Sequence, residues 1–273
     1  MAATFFSENP DKAWTERVLL VSSLAWIAMM AAVVLTGAMR RWSDVGYLVF
    51  SLACAAPMTA LPVGLWFARR AKLEGSPRFR DSYLLKLLLF VFVVMFFGTY
   101  VGTAYFFDLM GMRYAFPTKW VFESGVVGRT GGHVPVIMYP LTQAYFMTYF
   151  TVLTVADRAV SSVLGLRDGR SLAHSAGRAV VVLCLAYAIA FAETFFMATD
   201  LMKDLFSYEK HGKMLAIGSI GYASYFIVGL PIVRRFDERA PQHGVARPLV
   251  DALASSMLTL VLLEVYAKLV GPL

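Results

Sequence analysis

The chain is dominated by stretches of about 20 residues that carry almost no charge, and this feature most limits what it can fold into. An α-helix rises about 1.5 Å per residue, so a stretch of that length crosses a hydrocarbon core about 30 Å thick. Of the 273 residues, 59% are hydrophobic and 16% are charged, against roughly 25% charged residues in a soluble domain. We therefore predict that the bilayer is the solvent of this chain.

Apolar runs bounded by charges predict an all-α fold, a polytopic membrane helix bundle of about seven transmembrane helices. The predicted spans are 18–38, 46–68, 83–107, 135–154, 179–199, 214–233 and 249–270. Pro57 and Pro62 fall in the second span, and since a proline inside a helix removes a backbone donor, we expect that helix to bend. No linker or change in composition interrupts the chain, which predicts a single integral membrane domain over residues 1–273.

The basic residues stand in short clusters beside the apolar spans, such as Arg40–Arg41 and Arg234–Arg235. The formal charge of +7 therefore indicates membrane topology and not a surface for nucleic acid. The amino terminus and the loops after spans two, four and six hold more Lys and Arg than the opposite loops, which predicts a cytoplasmic amino terminus. We expect a multi-pass protein of a bacterial inner membrane or of the endoplasmic reticulum, in contact with membrane lipid. The pattern does not predict an oligomeric state.

The longest connection, residues 108–134, mixes aromatic residues with a glycine-rich piece, Gly125–Gly132. Aromatic side chains often sit at the level of the lipid headgroups, which favours an interfacial segment. Long loops are also often functional, which favours a lid over a cavity inside the bundle. Both interpretations remain open.

Few ionisable residues lie inside the predicted spans, and each costs roughly 2.5–3.5 kcal/mol at a helix centre, so they should face the bundle interior. Glu193 and Glu264 fall in the outer third of spans five and seven. Four polar residues of spans three and four fall in the same layer: Tyr100, Thr103, Tyr139 and Gln143. This layer predicts a polar pocket beneath the long connection. The alternative is that the carboxyl groups only hold neighbouring helices together through hydrogen bonds.

Two further charges, Lys86 and Asp251, lie near the inner ends of spans three and seven and could pair with each other. Snorkelling of Lys86 toward the headgroups is the more usual behaviour of a lysine at that depth. The four histidines all fall in predicted loops, and no zinc, phosphate-binding or nucleophile motif occurs in the sequence. We therefore predict no metal and no cofactor.

Several stretches follow one another along nearly the whole chain in a characteristic order. They are ENPDKAW (Glu8–Trp14), RDSYLLK (Arg80–Lys86), GTYVGTAYFFDLMGMRYAFP (Gly98–Pro117), IAFAET (Ile189–Thr194), GYASYFIVGLPIVRRFDE (Gly221–Glu238) and VDALASSML, with LVGPL at the end. Together they resemble the cycloeucalenol cycloisomerase family, also called the cyclopropyl sterol isomerases.

The resemblance implies an isomerase that opens the cyclopropane ring of a sterol or triterpenoid substrate, as in the conversion of cycloeucalenol to obtusifoliol by plant members. The ring methylene gains a proton, a tertiary carbocation forms, and a neighbouring ring proton is lost, without a cofactor. A carboxyl group buried in an apolar pocket suits the role of general acid. Glu193 in IAFAET is then the expected acid or base, Tyr100 positions the proton or the cation, and Glu264 or Asp251 are alternative partners.

The remaining polar and aromatic residues of the predicted pocket are expected to bind the substrate: Thr103, Tyr139, Gln143, Tyr222 and Tyr225. Two other functions stay open. One is a double-bond-shifting sterol isomerase of the emopamil-binding type, which uses related proton chemistry. The other is a membrane protein that binds sterol or lipid without altering it.

Overall fold

The computed structural model describes residues 5–70, 78–124, 132–166, 171–238 and 244–273. Within these residues the main elements are long helices that run back and forth through one bundle. They are α1 (Pro10–Thr36), α2 (Asp44–Arg70), α3 (Tyr83–Asp108), α4 (Met138–Val163), α5 (Leu172–Met197), α6 (His211–Val233) and α7 (Ala246–Val270). The prediction of an all-α polytopic membrane bundle is confirmed.

Six of these helices, all except α4, are long and apolar enough to cross a membrane by length and composition, within the described residues. The predicted number of about seven spans is close to this count. Helix α4 is more polar because it packs against α1, α2, α3, α5 and α6 and is largely shielded by them. Its buried residues include Thr148, Thr151, Asp157 and Arg158, which other helices and not lipid surround.

Three of the helices contain irregular turns. The 3-10 turn Ala56–Met58 interrupts α2 at Pro57, where the sequence predicts a bend. A π-helical turn, Gly98–Gly102, lies in α3, and a second one, Met214–Gly218, lies in α6. Such π turns insert an extra residue into a helix and are frequent at functional sites.

Helix α1 begins at Pro10, two turns before the predicted start of the first span at residue 18. The Asn9 side chain caps it by accepting a hydrogen bond of 2.9 Å from the Asp11 amide. The prediction was wrong here because Lys12 and Glu16 look like loop residues, whereas both side chains are fully buried.

The burial of these charges is compensated by a set of ion pairs, which we call the ionic cluster: Lys12, Glu16, Arg158 and Glu238. Arg158 bridges the two carboxylates, at 2.8 Å from Glu16 and 2.7 Å from Glu238. The Lys12 ammonium lies 2.9 Å from Glu238 and donates to the Phe236 carbonyl at 2.6 Å. The cluster joins α1, α4 and the segment after α6 at one end of the bundle.

Lys86 belongs to the same end of the bundle, and both hypotheses about it were wrong. Its side chain is fully buried and lies 2.7 Å from Asp237, so it neither snorkels nor pairs with Asp251. Asp251 instead pairs with Arg247 one turn earlier in α7, at 2.8 Å. A buried lysine is tolerable here because its partner is buried with it.

The opposite end of the bundle carries two small antiparallel sheets, which the sequence did not predict. Strand β1 (Met112–Tyr114) pairs with β4 (Phe206–Tyr208), and β2 (Val121–Ser124) pairs with β3 (Gly132–Pro135). The long connection 108–134 is therefore partly strand, because β1 pairs with the loop between α5 and α6 and β2 pairs with β3 at the end of the same connection. The glycine-rich piece falls mostly at residues 125–131, outside the described residues.

Candidate active site

A cavity lies at the strand end of the bundle, between α1, α3, α4, α5, α6 and the β1–β4 sheet. Its empty volume is about 850 Å³, counted out to its open mouth. Sites for small molecules are concave and are lined mostly by apolar side chains. The cavity therefore has the position and the lining of a ligand site.

Sulfur and aromatic side chains form most of the cavity wall. Seven of the fourteen methionines contribute to it, counted over the described residues: Met30, Met39, Met95, Met112, Met138, Met197 and Met202. The aromatic residues of the wall are Phe106, Phe116, Phe146, Phe206, Tyr114, Tyr145, Tyr208, Tyr222 and Tyr225. Methionine is unbranched and adapts its shape to its neighbours, so the wall suits a large apolar ligand.

Helical periodicity explains which residues of α3 and α4 reach the wall. Met138, Leu141, Thr142 and Tyr145 of α4 follow the spacing i, i+3, i+4, i+7 and therefore share one face of the helix. In α3 the wall residues Met95, Thr99 and Thr103 stand four residues apart, a spacing that places them along one side of the helix. Thr103 directly follows the π turn.

The β1–β4 sheet covers the cavity. In its register Met112 faces Tyr208 and Tyr114 faces Phe206, and these four side chains all lie on the cavity wall. Alternate residues of a strand point to opposite faces, so Arg113 points away and donates to Glu209 at 2.5 Å. The beginning of the 108–134 connection is therefore the roof of the cavity, and whether it opens as a lid remains a prediction.

Glu193 of α5 is the one carboxyl group on the wall among the described residues, and its side chain is half-buried. The Tyr222 hydroxyl of α6 donates a hydrogen bond to Glu193 Oε2. The Tyr149 hydroxyl group of α4 lies beside the same carboxyl group. Helices α4, α5 and α6 therefore meet at this carboxyl group.

Further tyrosines lie close enough to Glu193 to interact with it electrostatically, namely Tyr114, Tyr145 and Tyr208. Burial, and then the nearby Glu193 carboxylate, raise the pKa of Tyr114 and Tyr208, the two that lie in the roof. Their hydroxyl groups therefore stay protonated at neutral pH. The surroundings of Glu193 thus consist of neutral hydroxyl groups and rings.

Three of the other predicted site residues also lie on the cavity wall: Thr103, Tyr222 and Tyr225. The Thr103 hydroxyl donates to the Thr99 carbonyl at 2.6 Å, so its hydrogen bond is already used within α3. The ring of Tyr225 packs against the π turn, where a side chain on Gly98 would approach the ring to 2.9 Å. Glycine is therefore needed there for the close approach of Tyr225.

Tyr100, Tyr139 and Gln143 do not line the cavity. The Tyr100 hydroxyl donates to the Glu123 carbonyl at 3.4 Å, and the Gln143 amide donates to the Leu88 carbonyl at 3.5 Å. The pairing of Tyr100 with Thr103 on one face assumed a regular α-helix. Tyr100 lies inside the π turn and Thr103 directly follows it, so regular α-helical spacing does not hold between the two residues.

Glu264 and Asp251 also lie away from the cavity, since no described residue of α7 is on its wall. Glu264 is exposed on the outside of the bundle and accepts a hydrogen bond from the Tyr105 hydroxyl at 2.6 Å. It links α7 to α3, as expected of a carboxyl group that holds two helices together through a hydrogen bond. The structure therefore brings only Glu193 of the three predicted carboxyl groups to the cavity.

The sequence analysis did not predict Tyr145 and Tyr149, or Tyr114 and Tyr208 in the roof, as residues of the site. The first two stand four residues apart in the fourth predicted span, and that spacing could have placed them on one helix face. The roof tyrosines carry no such signal, because they come together through strand pairing. Among the described residues no group of three His, Cys, Asp or Glu is placed to hold a metal ion, so no metal ligands are assigned.

The fold and the site together define a polytopic membrane protein that encloses an apolar cavity around one carboxyl group. The chain is 27% identical over 272 residues to cycloeucalenol cycloisomerase of Arabidopsis thaliana, a match that covers 98% of this chain and 90% of that protein. This similarity makes the two proteins distant relatives. No protein-family model and no solved structure matches the chain.

Proposed function

We propose that this protein is a membrane isomerase that opens the cyclopropane ring of a cyclopropyl sterol, with Glu193 as the acid. The observation that carries the proposal is that Glu193, the one carboxyl group of the described residues on a mostly apolar and aromatic wall, is held by the Tyr222 hydroxyl. The distant relationship to cycloeucalenol cycloisomerase supports the class of reaction. An apolar environment favours the neutral form of a carboxyl group, which is the form a general acid needs.

In the first step the Glu193 carboxyl group transfers its proton to the methylene carbon of the three-membered ring. The electron pair of the breaking carbon–carbon bond forms the new C–H bond, so the methylene becomes a methyl group and a tertiary carbocation remains. In the second step a neighbouring ring carbon loses a proton, and the electron pair of that C–H bond forms the alkene. The reaction is an isomerisation, so no oxidant, reductant or other reactant is consumed.

Aromatic rings beside the carboxyl group can stabilise the carbocation. Phe106 lies edge-on to Tyr222 with ring centroids 5.2 Å apart, and the Phe146 ring lies 6.3 Å from that of Tyr222. The faces of such rings attract a cation without forming a bond to it. The apolar wall also limits the water that would otherwise add to the cation.

The second proton transfer needs a base, and Glu193 is the carboxylate available after the first step. Glu264 and Asp251, the alternative partners, lie away from the wall. We therefore assign both transfers to Glu193, which the second step returns to its acid form. The hydroxyl groups of Tyr222 and Tyr149 would stabilise the carboxylate between the two steps.

The test is incubation of the detergent-purified protein with cycloeucalenol, followed by chromatography and mass spectrometry. We expect a product of unchanged mass and new retention, and in heavy water one deuterium in the new methyl group. A parallel incubation with an eight–nine unsaturated sterol tests the double-bond-shifting alternative. Cycloeucalenol that binds the protein and is recovered unchanged would contradict the proposal and favour a sterol-binding protein.

A further inference from the structure

Tyr145 is a wall residue with a buried hydroxyl group that makes no hydrogen bond within the described part of the chain. Its side chain is only 2% exposed, and its hydroxyl group has no hydrogen-bond partner among the described residues. The ring is held in place by Trp26, with the ring centroids 4.7 Å apart. The hydroxyl is therefore buried at the cavity with its direction fixed by packing.

A buried hydroxyl group without a partner has lost its hydrogen bonds to water and gained none in return, so most such groups in folded proteins are satisfied. The Tyr222 hydroxyl group, which also lies beside Glu193, already donates to the carboxyl group. Tyr145 lies close enough to Glu193 to interact with it electrostatically but makes no hydrogen bond to it. A bound molecule can supply the missing partner.

The chemistry of the wall limits what that partner can be. Among the described residues the wall carries no Lys, Arg or His, so it offers no counter-ion for a phosphate or a carboxylate. A phenolic hydroxyl both donates and accepts hydrogen bonds, which matches an alcohol. Most of the remaining wall is formed by methionine and aromatic side chains and matches an apolar ring skeleton.

We propose that Tyr145 binds the hydroxyl group of a polycyclic alcohol substrate and so fixes the substrate's position relative to Glu193. This inference rests on the proposed function and adds to it the polar contact by which the substrate is oriented. Tyr145 is a binding and positioning residue, and Glu193 is the group that exchanges protons with the substrate.

The experiment compares the wild-type protein, Tyr145→Phe and the matched control Tyr83→Phe on cycloeucalenol and on its 3-deoxy analogue. Tyr83 is also a fully buried tyrosine without a hydrogen-bond partner for its hydroxyl among the described residues, but it lies at the far end of α3. Both the dissociation constant and turnover are measured, the former by fluorescence of the tryptophans, of which Trp26 contacts Tyr145.

We expect the wild type to bind cycloeucalenol about tenfold more tightly than the deoxy analogue, as one hydrogen bond allows. Tyr145→Phe should lose this preference and should leave binding of the deoxy analogue unchanged, while Tyr83→Phe should behave as the wild type. Equal effects of Tyr145→Phe on both ligands, or no effect on either, would overturn the inference. Absence of turnover by the wild type would overturn the proposed function instead, since the binding preference is measured independently of turnover.

Discussion

The hydroxyl group of Tyr222 in α6 donates a hydrogen bond to the carboxyl group of Glu193 in α5, and both side chains lie on the wall of the cavity. This hydrogen bond holds one oxygen of the Glu193 carboxyl group through a side chain from a different helix. Since Tyr149 of α4 lies beside the same carboxyl group, the surroundings of this group depend on the packing of three helices. The site can therefore be tested at the carboxyl group, at its partners and at the packing behind them.

Replacing the carboxyl group itself should abolish the reaction. Glu193→Gln keeps the size of the side chain but removes the proton donor, and we expect turnover of cycloeucalenol to fall by about 10²- to 10⁴-fold, as for other general acids. Substrate binding and helix content should be retained. Turnover rates, ligand titration and circular dichroism check this, and a folded variant with full activity would remove Glu193 from the mechanism.

Removing the hydrogen bond to Glu193 should have a smaller effect. Tyr222→Phe leaves the ring in the wall but frees the carboxyl group, and we expect a decrease in kcat of about tenfold, which corresponds to about 1.4 kcal/mol. Tyr266→Phe is the control, because its hydroxyl donates to the Ile217 carbonyl at 3.0 Å away from the cavity. Equal decreases in the two variants would indicate a general structural effect.

The close approach of Tyr225 to the π turn predicts an effect that a second substitution reverses. In Gly102→Ala the added methyl group would overlap the Tyr225 hydroxyl oxygen, whereas the ring carbon behind that oxygen stays 3.5 Å away. Activity and thermal stability should therefore fall in Gly102→Ala and recover in the Gly102→Ala, Tyr225→Phe double variant. Gly64→Ala is the control, since nothing lies within 4 Å of the added atom. Failure of the double variant to recover would show that the hydroxyl is not the obstacle.

Breaking the ionic cluster should destabilise the fold without changing the cavity. Arg158→Met leaves the fully buried Glu16 carboxylate without its 2.8 Å partner, and the loss should be about 3–5 kcal/mol in the free energy of unfolding. Arg247→Met removes an arginine whose side chain is 75% exposed, and it should cost about 1 kcal/mol or less. Denaturation of both variants in the same detergent checks the difference, and equal losses would contradict it.

The ionic cluster also predicts how stability depends on pH. Burial alone would raise the pKa of Glu238, but hydrogen bonds from Arg158 and the charge of Lys12 outweigh it and lower the pKa from 4.5 to about 2. The unfolded chain thus takes up this proton first as the pH falls. The contribution of Glu238 to stability should be complete above about pH 4.5 and should be lost progressively toward about pH 2.

The measurement is the difference in melting temperature between the wild type and Glu238→Gln across this range of pH. The difference should be largest near neutral pH and should shrink as the solution is acidified through the range. A difference that stays constant down to about pH 2 would show that Glu238 does not titrate as the contacts predict.

The sequence predicted the helices well where apolar runs end at exposed charges. The third, sixth and seventh spans agree with α3, α6 and α7 to within about three residues, inside the usual error for boundaries. It failed where charges are buried. The predicted first span starts at residue 18, after the buried Lys12 and Glu16, and the predicted fourth span ends at residue 154, before the buried Asp157 and Arg158. The sequence does not show that these charges are buried, because their partners come from distant segments.

The candidate site was only partly predictable. Glu193 stands out because a carboxyl group inside an apolar span is costly, and the cost is readable from sequence. Regular helical spacing predicts that Tyr100 and Thr103 share one helix face, and the π turn alters this spacing. The roof could not be predicted, because the pairing of Tyr114 with Phe206 depends on two separate loops meeting.

That roof has a consequence for how the protein is made. Strand β1 leaves the ribosome long before β4, and the Tyr222 hydroxyl follows later still. During synthesis the early helices therefore enter the membrane before the strand pair that covers their methionine and aromatic surfaces is complete. Only after the sixth helix is inserted can the chamber close around its carboxyl group, so nascent chains halted before that point should hold no ligand.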